Sequence, residues 1–140
     1  MAARMVSDWV EAVLKCDSAT ASLLFEESRE FPIRYTRDLN QARAWLLAQS
    51  GNAPYAGKCG LVASSGALRL RAYGLEVSSG FRLGFQHEDW FLAGGDDVRS
   101  AAALEVCASE FECQGLELDW VGVCLGGDLG FDPSSGCAFR

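Results

Sequence analysis

The first third of the chain repeats its apolar positions with a helical period. Trp9, Val10, Val13 and Leu14 share one face of a helix that starts at Asp8 behind a Ser7 cap. Ser18 opens a second helix over residues 19–27, with Leu23, Leu24 and Phe25 turned toward the core. Pro32 then introduces a short strand over residues 33–36, because proline is tolerated at a strand start. Asp38 is placed to cap a helix in which Leu39, Ala42, Leu46 and Leu47 keep the 3.6-residue period beside Trp45. Gly51-Asn52-Ala53-Pro54 ends that helix. Cys59-Gly60-Leu61-Val62-Ala63 reads as a buried strand closed by Ser64-Ser65-Gly66. Residues 32–63 therefore predict a strand–helix–strand unit, which builds a parallel sheet with a right-handed crossover.

Beyond this point the pattern loosens. Residues 67–98 hold Gly74, Gly80, Gly84, Gly94 and Gly95 between short apolar runs such as 74–77 and 90–92, and predict a loop-rich insertion with weak strands. Residues 103–108 read as a strand or helix end running into Ser109. Leu118 to Leu125, LDWVGVCL, is apolar enough for a central strand and is closed by Gly126-Gly127-Asp128. One domain is expected over residues 1–130, with 131–140 as a flexible tail.

Composition narrows the class. The chain has 140 residues, is 49% hydrophobic and 22% charged, and so can bury a core of its own. No apolar run approaches the roughly 18 residues of a membrane span, and the start, with Asp8, has no apolar stretch of the signal-peptide kind. The expected setting is cytoplasmic, without a membrane partner.

Charge is divided unequally. Residues 1–72 hold nine Lys/Arg against seven Asp/Glu, and residues 73–140 hold three against twelve, for a total of −7. Nucleic-acid affinity comes largely from phosphate neutralisation, so any phosphate-facing surface must use Arg34, Arg37, Arg69 and Arg71. Cysteines stand at 16, 59, 107, 113, 124 and 137, with no C-x-x-C pair and one histidine, His87. That spacing gives no zinc site, and the compartment rule favours reduced thiols, several of them buried, with Cys137 the most exposed. His87 beside Glu88 and Asp89 reads as solvated surface rather than a metal site.

The most informative pattern is Ser109 followed by Gln114-Gly115-x-Glu117, directly before an apolar strand. Gly115 permits positive φ or close backbone approach, Gln114 offers amide donors and an acceptor, and Glu117 can accept from a ribose hydroxyl or orient an arginine. Ser109 would lie at a strand end, where ligand crevices open in parallel sheets. This pattern resembles motif V of superfamily-one helicases. Together with the collinear segments SDWVEAVL, FPIRYTRDLNQARAWL, GLVASSGALRLRAYGLEV and WFLAGGDDVRSAAALEV, it is similar to the second RecA-like domain of the Schlafen group 3-like DNA/RNA helicases over most of residues 6–130.

The resemblance implies a three-layer α/β/α RecA-like domain of the P-loop NTPase superfamily, with a mostly parallel sheet. It also implies a nucleotide or nucleic-acid cleft lined by Ser109, Gln114, Gly115 and Glu117. Thr36, Arg37, Ser64 and Ser65 are further candidate phosphate contacts at strand ends. ATP and magnesium are implied only for a complete family member, because this chain has no G-x-x-x-x-G-K-[ST] loop, no magnesium-holding Asp-Glu pair and no arginine motif after the tail. Ser109 stands where threonine is usual, and Ala101-Ala102-Ala103 replaces a bulkier stretch. The expectation is a truncated second domain without a cofactor or autonomous ATPase activity, and with weak nucleic-acid or nucleotide contact. A self-associating or protein-interaction module, covering the face left by a missing first RecA-like domain, is the alternative. A small-molecule binder at the strand-end crevice is a third reading.

Overall fold

Local signals set most of the elements. The computed structural model describes residues 2–27, 33–52, 57–82, 84, 86–127, 129–132 and 136–139. They group into two compact units, one of Met1–Tyr35 with Leu129–Arg140 and the other Thr36–Asp128.

In the first unit, helix α1 spans Ala2–Leu14 and packs on α2, Ser18–Glu27. The helix starts at Ala2 rather than Asp8 because Ala2, Ala3, Arg4 and Met5 are all good helix formers, which leaves Ser7 inside it. Asp17, not Ser18, caps α2: its Oδ1 accepts the Thr20 N–H at 3.0 Å and its Oδ2 the Thr20 hydroxyl at 2.6 Å. Trp9 and Phe25 sit 6.3 Å apart between ring centroids, and Tyr35 meets Phe25 edge-on at 5.9 Å. Leu23, expected in the core, is exposed.

Residues 33–36 carry no strand, and Pro32 lies outside the described residues. The expected strand–helix–strand unit thus keeps its helix and second strand only. Cys16 is disulfide-bonded, which corrects the expectation of thiols reduced throughout. Disulfide formation depends on Cα proximity, which spacing along the chain does not reveal. The Cys137 side chain lies outside the described residues. Strands β4, Leu129–Asp132, and β5, Gly136–Phe139, pair antiparallel.

The second unit is α/β, as expected for a RecA-like fold. Its sheet holds β1 (Cys59–Ala63), β2 (Cys107–Ser109) and β3 (Trp120–Cys124), all parallel, in the order β2-β1-β3. Leu61 pairs with Cys107 and Gly122, and Ala63 with Ser109 and Cys124. Helix α3, Leu39–Asn52, lies over β1 and β3 on one face. Asp38 caps it as expected, its Oδ1 accepting from the Asn40 and Gln41 N–H groups. Beneath it Leu46, Leu61, Leu70, Leu75, Val77 and Leu104 form the larger core cluster, and Trp45 meets Trp120 edge-on.

On the opposite face Trp90, Ala101, Val106 and Ala108 form a second cluster. Trp90 belongs to α5, His87–Leu92, which replaces the weak strand expected there, and its indole N–H donates to the Val106 carbonyl at 3.1 Å. The rest of the 67–98 insertion holds a 3-10 helix, Leu68–Tyr73, a short α4, Ser79–Arg82, and a single parallel bridge from Glu76 to Val106. A second 3-10 turn, Ala101–Ala103, precedes β2.

The strand expected to be central, β3, stands at the edge of the sheet instead, and β1 takes the centre. Val121 and Val123, on the face away from α3, remain 44% and 67% exposed. An apolar run marks a strand whose two faces could both be buried; which neighbours cover it is decided elsewhere in the chain.

Candidate functional site

The parallel register gathers one group of candidates and separates others. Ser109 ends β2 beside Ala63, which ends β1 and leads into the Ser64-Ser65-Gly66 turn. The Ser64 hydroxyl accepts the Gly66 N–H at 3.1 Å, tightening that turn. Glu110, next to Ser109, reaches across to it. One carboxylate oxygen accepts the Ser65 N–H and the other the Ser65 hydroxyl, both at 2.8 Å. Ser64, Ser65 and Ser109 are therefore brought together at the carboxyl-terminal edge of the sheet.

Ser109 itself is 2% exposed. Its N–H donates to Glu112 Oε2 at 2.7 Å, and its carbonyl accepts from the N–H groups of Glu112 and Cys113. It forms the floor of this edge, while the exposed Ser65 forms its rim. Arg69, in the 3-10 helix after β1, is exposed and its side chain lies by Gly127, just past β3: a Cβ built on Gly127 would stand 3.0 Å from its Nη1. Arg71 is instead spent on Glu76, 3.7 Å away.

Gln114, Gly115 and Glu117 lie on the connection from β2 back to β3. Gly115 takes the positive φ its type allows, 81°, and Gln114 and Glu117 are exposed. Glu117 does not join Ser109. It lines a cleft of about 730 Å³ with Lys58 and Asp119, the residues directly before β1 and β3. That is the amino-terminal end of the strands, roughly 13 Å from their carboxyl ends at about 3.3 Å per residue. Val62, Phe91, Leu116, Leu118 and Val121 supply the apolar wall. Lys58 Nζ stands 3.6 Å over the Phe91 ring, and the Lys58 N–H donates to Asp119 Oδ2 at 2.7 Å.

Thr36 and Arg37 are placed at the start of α3. The Thr36 hydroxyl oxygen accepts the Asp38 N–H at 3.0 Å and donates to Gln41 Oε1 at 3.3 Å, which makes it part of the helix start, and Arg37 is exposed beside it.

Two residues that sequence reasoning passes over organise this region. Glu110 is one, and its position beside Ser109 is the available signal. Arg43 is the other: its guanidinium donates to the carbonyls of Leu104 and Gly74 and meets Glu105 at 3.5 Å. It thereby holds Leu104 at a φ of 56°, a conformation that non-glycine residues adopt at a cost. No local pattern announces a side chain whose partner lies 61 residues along the chain.

The donor set does not match a nucleoside-triphosphate cradle. The backbone N–H at the β1 turn carries a carboxylate, no lysine follows it, and the loop lacks the glycine spacing that wraps phosphates. Among the described residues, no group of three or more His, Cys, Asp or Glu side chains is placed to hold a metal ion. No helix among them is long and apolar enough to cross a membrane.

Comparison with known proteins gives a family match. The family model for the Schlafen group 3, DNA/RNA helicase domain covers residues 1–140. No curated protein and no solved structure matches.

Proposed function

Since the chain belongs to the Schlafen group 3, DNA/RNA helicase domain family, we propose that it acts as a helicase-type domain that contacts the phosphate backbone of a nucleic acid weakly and does not hydrolyse ATP alone. The observation that carries this reading is the oxyanion held on Ser65. A carboxylate accepts from both the N–H and the hydroxyl of one residue at the carboxyl ends of adjacent parallel strands. A phosphate oxygen pair makes the same demand of the same two donors. Glu110 fills the place of that anion, and the exposed Arg69 supplies positive charge along the same edge. Gln114 and Glu117 belong to this reading as motif V-like residues facing the rest of the bound strand. In this reading phosphoryl transfer, which needs positioned phosphates, metal and a charge-stabilising arginine, falls to partners such as a first RecA-like domain.

Titration of a fluorescently labelled single strand at about 50 mM salt, where phosphate contacts are strongest, tests this. The expected result is weak binding that fades as salt rises. Glu110→Ala should tighten it, by unblocking Ser65, and Arg69→Ala should loosen it. Absence of binding by both the parent chain and Glu110→Ala would sink the proposal, and ATP hydrolysis by the chain alone would overturn its second half.

A second reading, a self-associating module, is favoured by the position of β3 at the end of the described sheet. Val121, Val123 and Leu125 are exposed there, and no charge interrupts residues 120–127.

A further inference from the structure

The first unit holds a cleft of about 610 Å³ whose described lining comes entirely from its helical hairpin and Tyr35. Residues three and four apart on facing sides of the two helices line it: Trp9, Ala12 and Val13 on α1, and Ser18, Ala21 and Phe25 on α2. Cys16, at a left-handed φ of 56°, and the Asp17 N–H, which donates to the Ala12 carbonyl at 3.0 Å, turn the chain back between the helices. Ala12, Ser18 and Ala21 are small and leave space there, and three aromatic rings wall it. Phe25 stands between the other two, 6.3 Å from Trp9 and 5.9 Å from Tyr35 between centroids. Trp9 is only partly buried and Tyr35 is 82% exposed, so both present aromatic surface to a guest. Charge on the lining has one sign. Asp17 and Glu26 are both exposed, and no Lys or Arg stands among the described lining residues. The Asp17 carboxylate is held in place by the Thr20 hydroxyl and N–H, at 2.6 and 3.0 Å.

We propose that this cleft binds small organic cations that carry an alkylated ammonium group, with Trp9 and Tyr35 as ring faces and Asp17 and Glu26 as counter-charges. An aromatic face carries partial negative charge and attracts a cation placed over it. The attraction is worth most for a cation that sheds water readily, and methyl groups on the nitrogen both weaken its hydration and add apolar contact. An anion would meet two carboxylates, and a neutral apolar guest would leave both of them unanswered. The volume falls within the roughly 300–1,000 Å³ of small-molecule sites, which leaves room for an organic substituent beyond the ammonium head. None of these residues takes part in the phosphate contact proposed at Ser65, which lies in the second unit.

The test titrates the full chain with choline and, in parallel, with neohexanol, its uncharged carbon isostere, at constant ionic strength. Indole N–H resonances report the site: Trp9 lies in the cleft, and Trp45, Trp90 and Trp120, in the second unit, are the controls. Choline should shift Trp9 alone, with a millimolar midpoint. Neohexanol should bind about three- to tenfold more weakly, the range of a partly exposed cation–π contact. Tyr35→Ala should weaken choline by a similar factor and Tyr35→Phe should not, since the ring and not the hydroxyl makes the contact. Glu26→Gln should weaken choline and leave neohexanol unchanged. The comparison of the two probes on the parent chain stands whether or not a variant folds. Absence of a Trp9 shift at tens of millimolar choline, equal affinity for neohexanol, or undiminished choline binding by Tyr35→Ala would each overturn the proposal.

Discussion

Single side chains in this protein are set mainly by short-range hydrogen bonds, and Asp97 shows how far one can be moved. The Arg99 side chain donates to both of its carboxylate oxygens, at 3.1 and 2.7 Å, and the Arg99 N–H adds a third bond at 2.9 Å. The side-chain bonds first, then the backbone bond, hold the Asp97 carboxyl down to about 2. Arg99 also reaches Asp89 of α5 at 2.9 Å, so the carboxylate helps tie the 94–100 loop to that helix. Because the folded value lies below the unfolded one, this contribution is fully present above about 3.9 and is lost as pH falls toward 2. Carboxyl-detected NMR titration should place the Asp97 midpoint near 2, and Arg99→Gln should move it upward. A midpoint near the ordinary aspartate value in the parent chain would show that the three bonds are not formed in solution.

At the scale of elements, the legible parts are those whose signals are local. Helix α3 is readable because Asp38 caps it and its apolar period is regular, and β1 because a five-residue apolar run is bounded by turn residues. Residues 90–92 suggest a strand yet form a helix, since a short apolar run does not distinguish the two. The acidic Glu88 and Asp89 in the first turn of α5 are the cue for the helix. For the candidate site, the sequence singles out Ser64, Ser65 and Ser109, and the sheet register joins them. It does not show that Glu117 lies at the other end of the strands, because motif spacing measures chain length and not direction.

Gly122 has a role that only packing reveals. A Cβ there would stand 2.6 Å from Leu61 Cδ2 and 2.9 Å from Leu46 Cδ1, and both leucines are fully buried. Gly122→Ala should therefore cost about 1–3 kcal/mol by overpacking. The expected readout is a lower urea midpoint with an unchanged slope. An unchanged midpoint would mean that α3 can lift from β3 at little cost.

For the whole molecule, the decisive feature is that β3 is the end strand among the described strands of its sheet, with Val121 and Val123 exposed. Strand edges that stay solitary usually carry lysine, proline or a bulge, and residues 120–127, WVGVCLGG, contain no charge and no proline. Sedimentation velocity over a concentration series should show reversible association, and Val123→Lys should abolish it while leaving the circular dichroism spectrum unchanged. A clean monomer at high concentration would remove the self-association reading and leave the phosphate-contact reading untouched.

By itself, the sequence determined the class of this protein: an α/β domain with a parallel sheet, its first buried strand, its capped third helix and its resemblance to a helicase domain. These follow from periodicity, caps and motif residues, all of which act over a few positions. Tertiary structure alone decided that β3 stands at an edge, that Glu110 occupies the Ser65 donors, and that Arg43 clamps Leu104. Each of these depends on which distant segments become neighbours, and that is set by competition for the same buried surface.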